Sequence, residues 1–231
     1  MPRPLRFVIP GVPHHVTQRG NYRQQVFFRD SDYHLYLRML RDYSHHLDIS
    51  VQAYCLMPNH VHLILTPPRE GALPRLLQRL HSDYAKIMNI HQDRTGHLWQ
   101  ARYFSAPMDD AHFWNAMLYV EQNPKRAGLV EQCWDWRWSS AGTHLRGAED
   151  GLVDLSEWRR QYTPRLWRQH LELGLRDAEL LDRIRESTEK GWPLGSDQFL
   201  DGLAQTLGRP TRPRAPGPKV KAVAEIGSYG L

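Results

Sequence analysis

Polar and apolar positions alternate over His15-Val16-Thr17-Gln18-Arg19 and break at Gly20-Asn21, the pattern of a short strand entering a turn. After Asp30-Ser31, which read as an N-cap, Tyr36, Leu40, Tyr43 and Leu47 fall at helical spacing and predict a helix over 32–46. Ile49 to Leu56 is rich in strand-forming residues, and Met57-Pro58-Asn59 turns it back into a second apolar run beginning at His60. Pro74 opens a helix in which Leu73, Leu76, Leu77, Leu80, Tyr84 and Ile87 form one stripe, with Arg75, Arg79 and Lys86 on its polar side. Residues 97–108 read as a further strand carrying Trp99, Arg102, Tyr103 and Phe104. Strand, helix, strand, strand, helix, strand is the order of a split βαβ unit. The expected class is therefore α+β: a ferredoxin-like, RRM-like antiparallel sheet with helices on one face and the other face free to bind a ligand.

A third helix is expected from the Asp109 cap through Gln122, with Phe113, Ala116, Met117 and Val120 facing inward and Pro124 as its stop. Tyr119 and Asn123 are four residues apart and share a different face. Trp134, Trp136 and Trp138 alternate and suggest an extended segment with three rings on one side, either a clamp over the core or a platform for stacked bases. From Leu155 to Leu207 the pattern is helical, with Trp158, Trp167, Leu171, Leu180 and Ile184 among its packing positions. Gly208 to Lys219 is rich in Pro, Gly and Arg and cannot bury a core. Three segments follow: a domain over 1–150, a helical extension over 151–207 and a flexible basic tail over 208–231.

With 231 residues, 41% hydrophobic and 24% charged, the chain has the composition of a globular protein. No apolar run approaches the ~18 residues of a membrane span. Phe7-Val8-Ile9 is cut short by Pro10 and Pro13, too brief for a signal-peptide core, so a cytoplasmic location is expected. The two cysteines, Cys55 and Cys133, have no paired spacing. Any metal would be held by nitrogen and oxygen, which favours Mg²⁺ or Mn²⁺ over structural zinc. The net charge of +5 is concentrated at the ends: Arg3, Arg6, Arg19, Arg23 and Arg29 occupy a stretch with no acid, as do Arg209, Arg212, Arg214, Lys219 and Lys221. Basic ends either grip a polyanion or keep the chain soluble.

The candidate chemistry centres on Pro58-Asn59-His60-Val61-His62-Leu63. In a strand, Val61, Leu63 and Leu65 would face a core while His60 and His62 share the opposite side, within reach of one divalent ion. A metal site and a solvated histidine pair both satisfy this pattern.

Four blocks, taken together and in order, carry a resemblance: His15-Val16-Thr17-Gln18-Arg19-Gly20-Asn21, Ala53 to Leu63, Gly96-His97-Leu98-Trp99-Gln100, and Tyr119 to Val130. Trp138-Ser139-Ser140 and Pro193-Leu194-Gly195-Ser196 extend it. The chain resembles the REP-associated tyrosine transposases of bacteria, relatives of single-tyrosine insertion-sequence transposases in the HUH nuclease superfamily. The resemblance implies metal ligands at His60, His62 and Asn123 and a nucleophile at Tyr119. Insertion-sequence relatives have glutamine where Asn123 stands, which leaves Gln122 as a substitute ligand. It further implies Mg²⁺- or Mn²⁺-dependent cleavage and rejoining of single-stranded hairpin DNA through a 5′-phosphotyrosine, by a monomer or homodimer. Arg19, Arg23, Arg79 and Arg102 are the candidate phosphate contacts, with solvated surface arginines as the alternative. A non-catalytic single-stranded nucleic-acid binder with an RRM-like sheet, and a small-molecule metallohydrolase, are the rival functions.

Overall fold

The computed structural model describes residues 6–213. Its first half follows β1 (His14–Arg19), α1 (Asp30–His46), β2 (Ser50–Met57), β3 (His60–Thr66), α2 (Ala72–His91) and β4 (Phe104–Pro107). The four strands form one antiparallel sheet in the order β2-β3-β1-β4, which is the split βαβ topology. The helix stripes read from the sequence are the buried ones: Tyr36 and Leu40 on α1 pack with Leu73, Leu76, Leu77, Leu80 and Tyr84 on α2 in one core. Behind β1 the chain turns sharply at Gly20, where a Cβ would stand 2.3 Å from the Gln24 carbonyl oxygen and 2.9 Å from Val26. Only glycine fits that approach.

The second half supplies α3 (Asp110–Glu121), α4 (Asn123–Arg126), α5 (Ala141–Arg146), α6 (Ser156–Gln161), α7 (Pro164–Leu173), α8 (Ala178–Lys190) and α9 (Asp197–Leu207). The sheet face expected to be free is covered: α3 lies on β2 and β3, and α8 lies on β1 and β4. This explains why β2 and β3 are buried at nearly every position instead of at alternate ones. The helices of 151–207 complete the same core, with Trp167, Leu171 and Ile184 fully buried in it.

Three local expectations need correction. The run 97–108 is a continuous strand only at Phe104–Pro107; Trp99 pairs with Gly20 as an isolated antiparallel bridge in a shifted register, and its Nε1 donates to the His81 carbonyl. Trp134, Trp136 and Trp138 do not form an extended ribbon. Cys133–Asp135 is a 3₁₀ turn, Trp136 donates to the Leu56 carbonyl, and Trp138 is buried against Tyr33 with ring centroids 4.5 Å apart, so this segment clamps the core. The opening residues assigned to the tail are docked: Thr211 is buried, Arg209 lies over the Phe7 ring, and Arg212 pairs with Asp197 and Asp201. The remainder of the tail, 214–231, lies outside the described residues.

One buried carboxylate ties the two halves together. Glu121, at the end of α3 and without solvent exposure, accepts from Ser140 Oγ at 2.5 Å, His144 Nδ1 at 2.6 Å and Trp167 Nε1 at 2.9 Å. A carboxyl group buried in that setting persists only when several donors replace water. Glu121→Ala strands all three donors in the core, and chemical denaturation of that variant is expected to show a loss of about 3 kcal/mol or more.

Candidate active site

The β1–β3 register builds the first part of the site. Thr17 pairs with His62 and Arg19 with His60, so His15, Thr17, Arg19, His60 and His62 face the same side of the sheet, opposite the α1–α2 core. On the helix side, the Asp109 carboxylate accepts the His112 N–H and starts α3, which carries Tyr119 over the histidines. The Tyr119 ring stands edge-on to both His62 and His15, with centroids 5.7 Å apart in each pair, and His60 and His62 are 4.9 Å apart. Tyr119, His60, His62, Asn123, Arg126 and Arg185 line one cavity of about 240 Å³.

Pro124 does not end the helical path. It removes one N–H, while Arg126 N–H still reaches the Gln122 carbonyl at 3.0 Å, so the helical phase runs through Asn123. Asn123 and Arg126 therefore follow Tyr119 at the i+4 and i+7 positions of one face. Gln122 is on another face and is committed elsewhere: its Nε2 donates to the Leu171 carbonyl at 2.5 Å and its side chain packs beside Gly174. The substitute-ligand role is not compatible with that position. Asn123 lines the cavity, and its amide nitrogen is buried without a partner.

Hydrogen bonds fix the histidine tautomers. Thr188 Oγ1, on α8, donates to the Ile184 carbonyl one turn earlier and so accepts from His15 Nδ1 at 2.7 Å. His15 Nε2 is then a bare lone pair and accepts from His62 Nδ1 at 2.9 Å, leaving the Nε2 lone pair of His62 uncommitted. At His60, Nδ1 donates to Asn59 Oδ1 at 2.6 Å, and the Asn59 amide is oriented by donation from its Nδ2 to the Arg23 carbonyl. His60 Nε2 is likewise uncommitted. Burial also keeps these rings neutral. It lowers the His60 pKa to about 4, helped by Arg19, and the His15 pKa to about 3, helped by Arg126; His62 is held well below its usual range by burial and then by His60 and His15. Neutral imidazoles with directed lone pairs are the protonation state that metal ligation requires. Among the described residues no three His, Cys, Asp or Glu side chains form a ready cage, so a cation here would rely on the two imidazoles, an amide and substrate oxygens.

Two guanidiniums enclose the tyrosine. Arg126 lies over its ring at 4.1 Å and donates to its carbonyl at 2.6 Å, and Arg185, from α8, sits 6.0 Å from the ring centroid. These groups, with His15 and Thr188, escaped the sequence reading. Arg126 was masked by taking Pro124 as a stop, and His15 was recognisable only through its strand phase with His60 and His62. Nothing local marks Arg185 or Thr188, which come from far along the chain.

The candidate phosphate contacts separate. Arg19 lines the cavity. Arg23 stands on the exposed turn whose carbonyl Asn59 holds, with φ at 58°. Arg79 is on the outer surface of α2, over Tyr43 and near Asp83. Arg102 borders a separate groove of about 660 Å³ shared with Trp99 and Gln18, on the other side of the sheet.

The buried imidazoles give a pH prediction. His14, His15, His60 and His81 have folded pKa values of about 3 to 4, below the unfolded value of 6.5. Between these values the unfolded chain binds protons that the folded protein does not, so stability is full above pH 6.5 and falls as pH drops toward 4. Each ring contributes a slope of up to ~1.4 kcal/mol per pH unit. Urea unfolding between pH 7 and 4.5 should show this decline, and a flat profile would mean that the rings are already charged in the folded protein.

The sheet and the cavity residues from His15 to Asn123 fall within residues 10–123, which match the family model described as Transposase IS200 like, whereas Arg126, Arg185 and Thr188 lie beyond the matched span. A REP-associated tyrosine transposase of Haemophilus influenzae is 26% identical over 106 residues, an alignment covering 41% of this chain and 60% of that protein, less than two thirds of the relative's length. A solved structure of a REP-associated tyrosine transposase bound to a REP hairpin shares the fold, with a TM-score of 0.53 and 22% identity over 68% of this chain and 96% of that one. Among the described residues no helix is long and apolar enough to cross a membrane.

Proposed function

Since residues 10–123 belong to the IS200-like transposase family, we propose that the protein is a REP-associated tyrosine transposase that cuts and rejoins single-stranded hairpin DNA through Tyr119. The observation that carries this reading is the meeting of one phenol and two neutral imidazoles around a single cavity. A hairpin substrate is supported by the REP hairpin bound to the structural relative. Arg19, which lines the cavity, and Arg23, on the turn held by Asn59, serve as phosphate contacts, whereas Arg79 is on the outer surface of α2 and Arg102 borders the separate groove. Because the phenol meets the histidines of its own chain, cleavage occurs in cis.

The chemistry follows from the groups present. The phenol oxygen of Tyr119 bonds to phosphorus, the bond to the 3′ oxygen breaks, and the departing oxygen takes up a proton to become a 3′-hydroxyl. The strand is left as a 5′-phosphotyrosine, which a 3′-hydroxyl can later displace to reseal DNA without a nucleotide cofactor. A tyrosine hydroxyl of ordinary pKa near ~10 attacks poorly at neutral pH, so the phosphate must be held in line and polarised. His60 Nε2, His62 Nε2 and the Asn123 amide oxygen fit a hard divalent cation, Mg²⁺ or Mn²⁺, which when bound supplies Lewis-acid polarisation of the phosphate. Thr188 and His15 orient the His62 lone pair toward that position, and Asn59 does the same for His60.

Tyr119→Phe is expected to abolish both strand cleavage and the covalent protein–DNA band on a denaturing gel, while hairpin affinity stays within about threefold of wild type. Equal cleavage by that variant would instead favour a water nucleophile, and lack of cleavage by the wild type would favour the non-catalytic binder. Thr188→Val removes the acceptor that sets the His15–His62 tautomers. It should weaken Mn²⁺ binding about 10-fold or more, read from the free-ion electron spin resonance signal in a titration without DNA.

A further inference from the structure

Asn123 and Arg126 are the cavity residues with a buried nitrogen that lacks a partner, and Arg126 is the charged one. Its side chain is largely buried, Nη2 is satisfied by the Tyr119 carbonyl at 2.6 Å, and Nη1 is buried with no partner. A guanidinium has five donors and no acceptor, and leaving one of them stranded away from water is unfavourable unless a ligand takes it. The same side chain stacks at 4.1 Å on the Tyr119 ring, so its position is fixed relative to the phenol. Burial lowers its proton affinity and the Tyr119 phenol restores part of it, so the group remains cationic. The surroundings favour an anion: Arg19 and Arg185 also line the cavity, the imidazoles are neutral, and the only carboxylate among its lining residues, Glu189, is exposed.

Resting on the nuclease reading above, we propose that Arg126 is a catalytic residue that binds a non-bridging oxygen of the scissile phosphate through its free Nη1, on the side of the phosphorus next to Tyr119. The fixed helical spacing makes this possible. Tyr119 and Arg126 are two turns apart on one continuous helical path, so nucleophile and phosphate clamp move as one body. The fork holds the phosphate where the phenol can approach it and offsets the charge that accumulates on the equatorial oxygens as the new bond forms. The imidazole pair approaches the same phosphate from the sheet side, and Asn123 stands beside Tyr119 on the helix side. Arg185 shares the positive field from an exposed part of α8, where it interacts with the Tyr119 side chain and pairs with Asp182 at 3.0 Å.

The test separates phosphate binding from cleavage. In a Tyr119→Phe background, which stops turnover, affinity is measured for hairpin DNA whose single-stranded flank carries one neutral methylphosphonate linkage, moved a position at a time. With Arg126 present, neutralising one linkage should weaken binding about 10-fold; in Arg126→Gln that sensitivity should disappear at that linkage alone. With Tyr119 intact, Arg126→Gln should slow cleavage about 100-fold at the same linkage, and Arg126→Lys should recover part of the rate because it keeps charge without the fork. Thermal melting of each variant reports folding, and Arg126→Lys carries the test if Arg126→Gln melts early. If the sensitive linkage persists unchanged in the Arg126 variants, or they cleave at the wild-type rate, the assignment to Arg126 is wrong while the nuclease reading stands. If wild type neither cleaves nor becomes attached to DNA, the nuclease reading itself fails, and with it the catalytic role.

Discussion

The Glu121 carboxylate is the constraint on which the site depends. It lies two residues beyond Tyr119, on the far side of the same helix, and accepts hydrogen bonds from Ser140, from His144 on α5 and from Trp167 on α7. Helix α3 is thus held from behind by polar contacts and pressed from the front by Ala116, Met117 and Val120 against the sheet. A helix held only by apolar packing can rotate or slide by a fraction of a turn at little cost. Three converging donors on one buried acid remove that freedom, because any rotation strands buried polar groups in the core. The orientation of Tyr119 relative to the histidines follows from where Glu121 is anchored.

That anchoring also explains why the helices of 151–207 are part of the catalytic unit. Trp167 reaches Glu121 from α7, Thr188 sets the tautomer of His15 from α8, and Arg185 closes the side of the tyrosine. A split βαβ sheet with α1 and α2 alone would leave His15, Ile64 and Cys55 facing water, and the imidazoles would then titrate in their ordinary range. The second layer of helices converts an exposed sheet face into a dry wall with one opening, and it is this dryness that keeps the imidazoles neutral and their lone pairs available.

Much of this was legible in the chain, and the reasons differ by element. Strands and long helices declare themselves through period, so the sheet order and the buried stripes of α1 and α2 follow from local patterns. His60 and His62 are legible because a strand displays residues i and i+2 on one side. The reading failed where a local rule was overridden at a distance. Pro124 ordinarily ends a helix, yet here the next turn resumes in phase and places Arg126 over Tyr119. Trp99 pairs with Gly20 as a strand residue would, but its ring reaches α2 and the pairing shifts register before Phe104. The alternation of Trp134, Trp136 and Trp138 imitates a strand, while their contacts with Tyr33 and Leu56 bend the backbone into a core clamp. Thr188 and Arg185 carry no local signature at all, since their role exists only after α8 has crossed the sheet.

The size and polarity of the cavity bear on what it can accept. At about 240 Å³ it is smaller than the ~300–1,000 Å³ of ordinary small-molecule pockets, large enough for a phosphate and its nearest sugar atoms but not for the bases. A small-molecule hydrolase would enclose its substrate, and the walls here offer three neutral imidazoles, an amide, a phenol and guanidiniums, with the one carboxylate among the lining residues, Glu189, exposed. Such a set recognises an anion and presents a nucleophile without enclosing a whole molecule. A polymer can supply one phosphate to such an opening while the rest of it lies outside on the surface, which is in keeping with the single-stranded substrate proposed above.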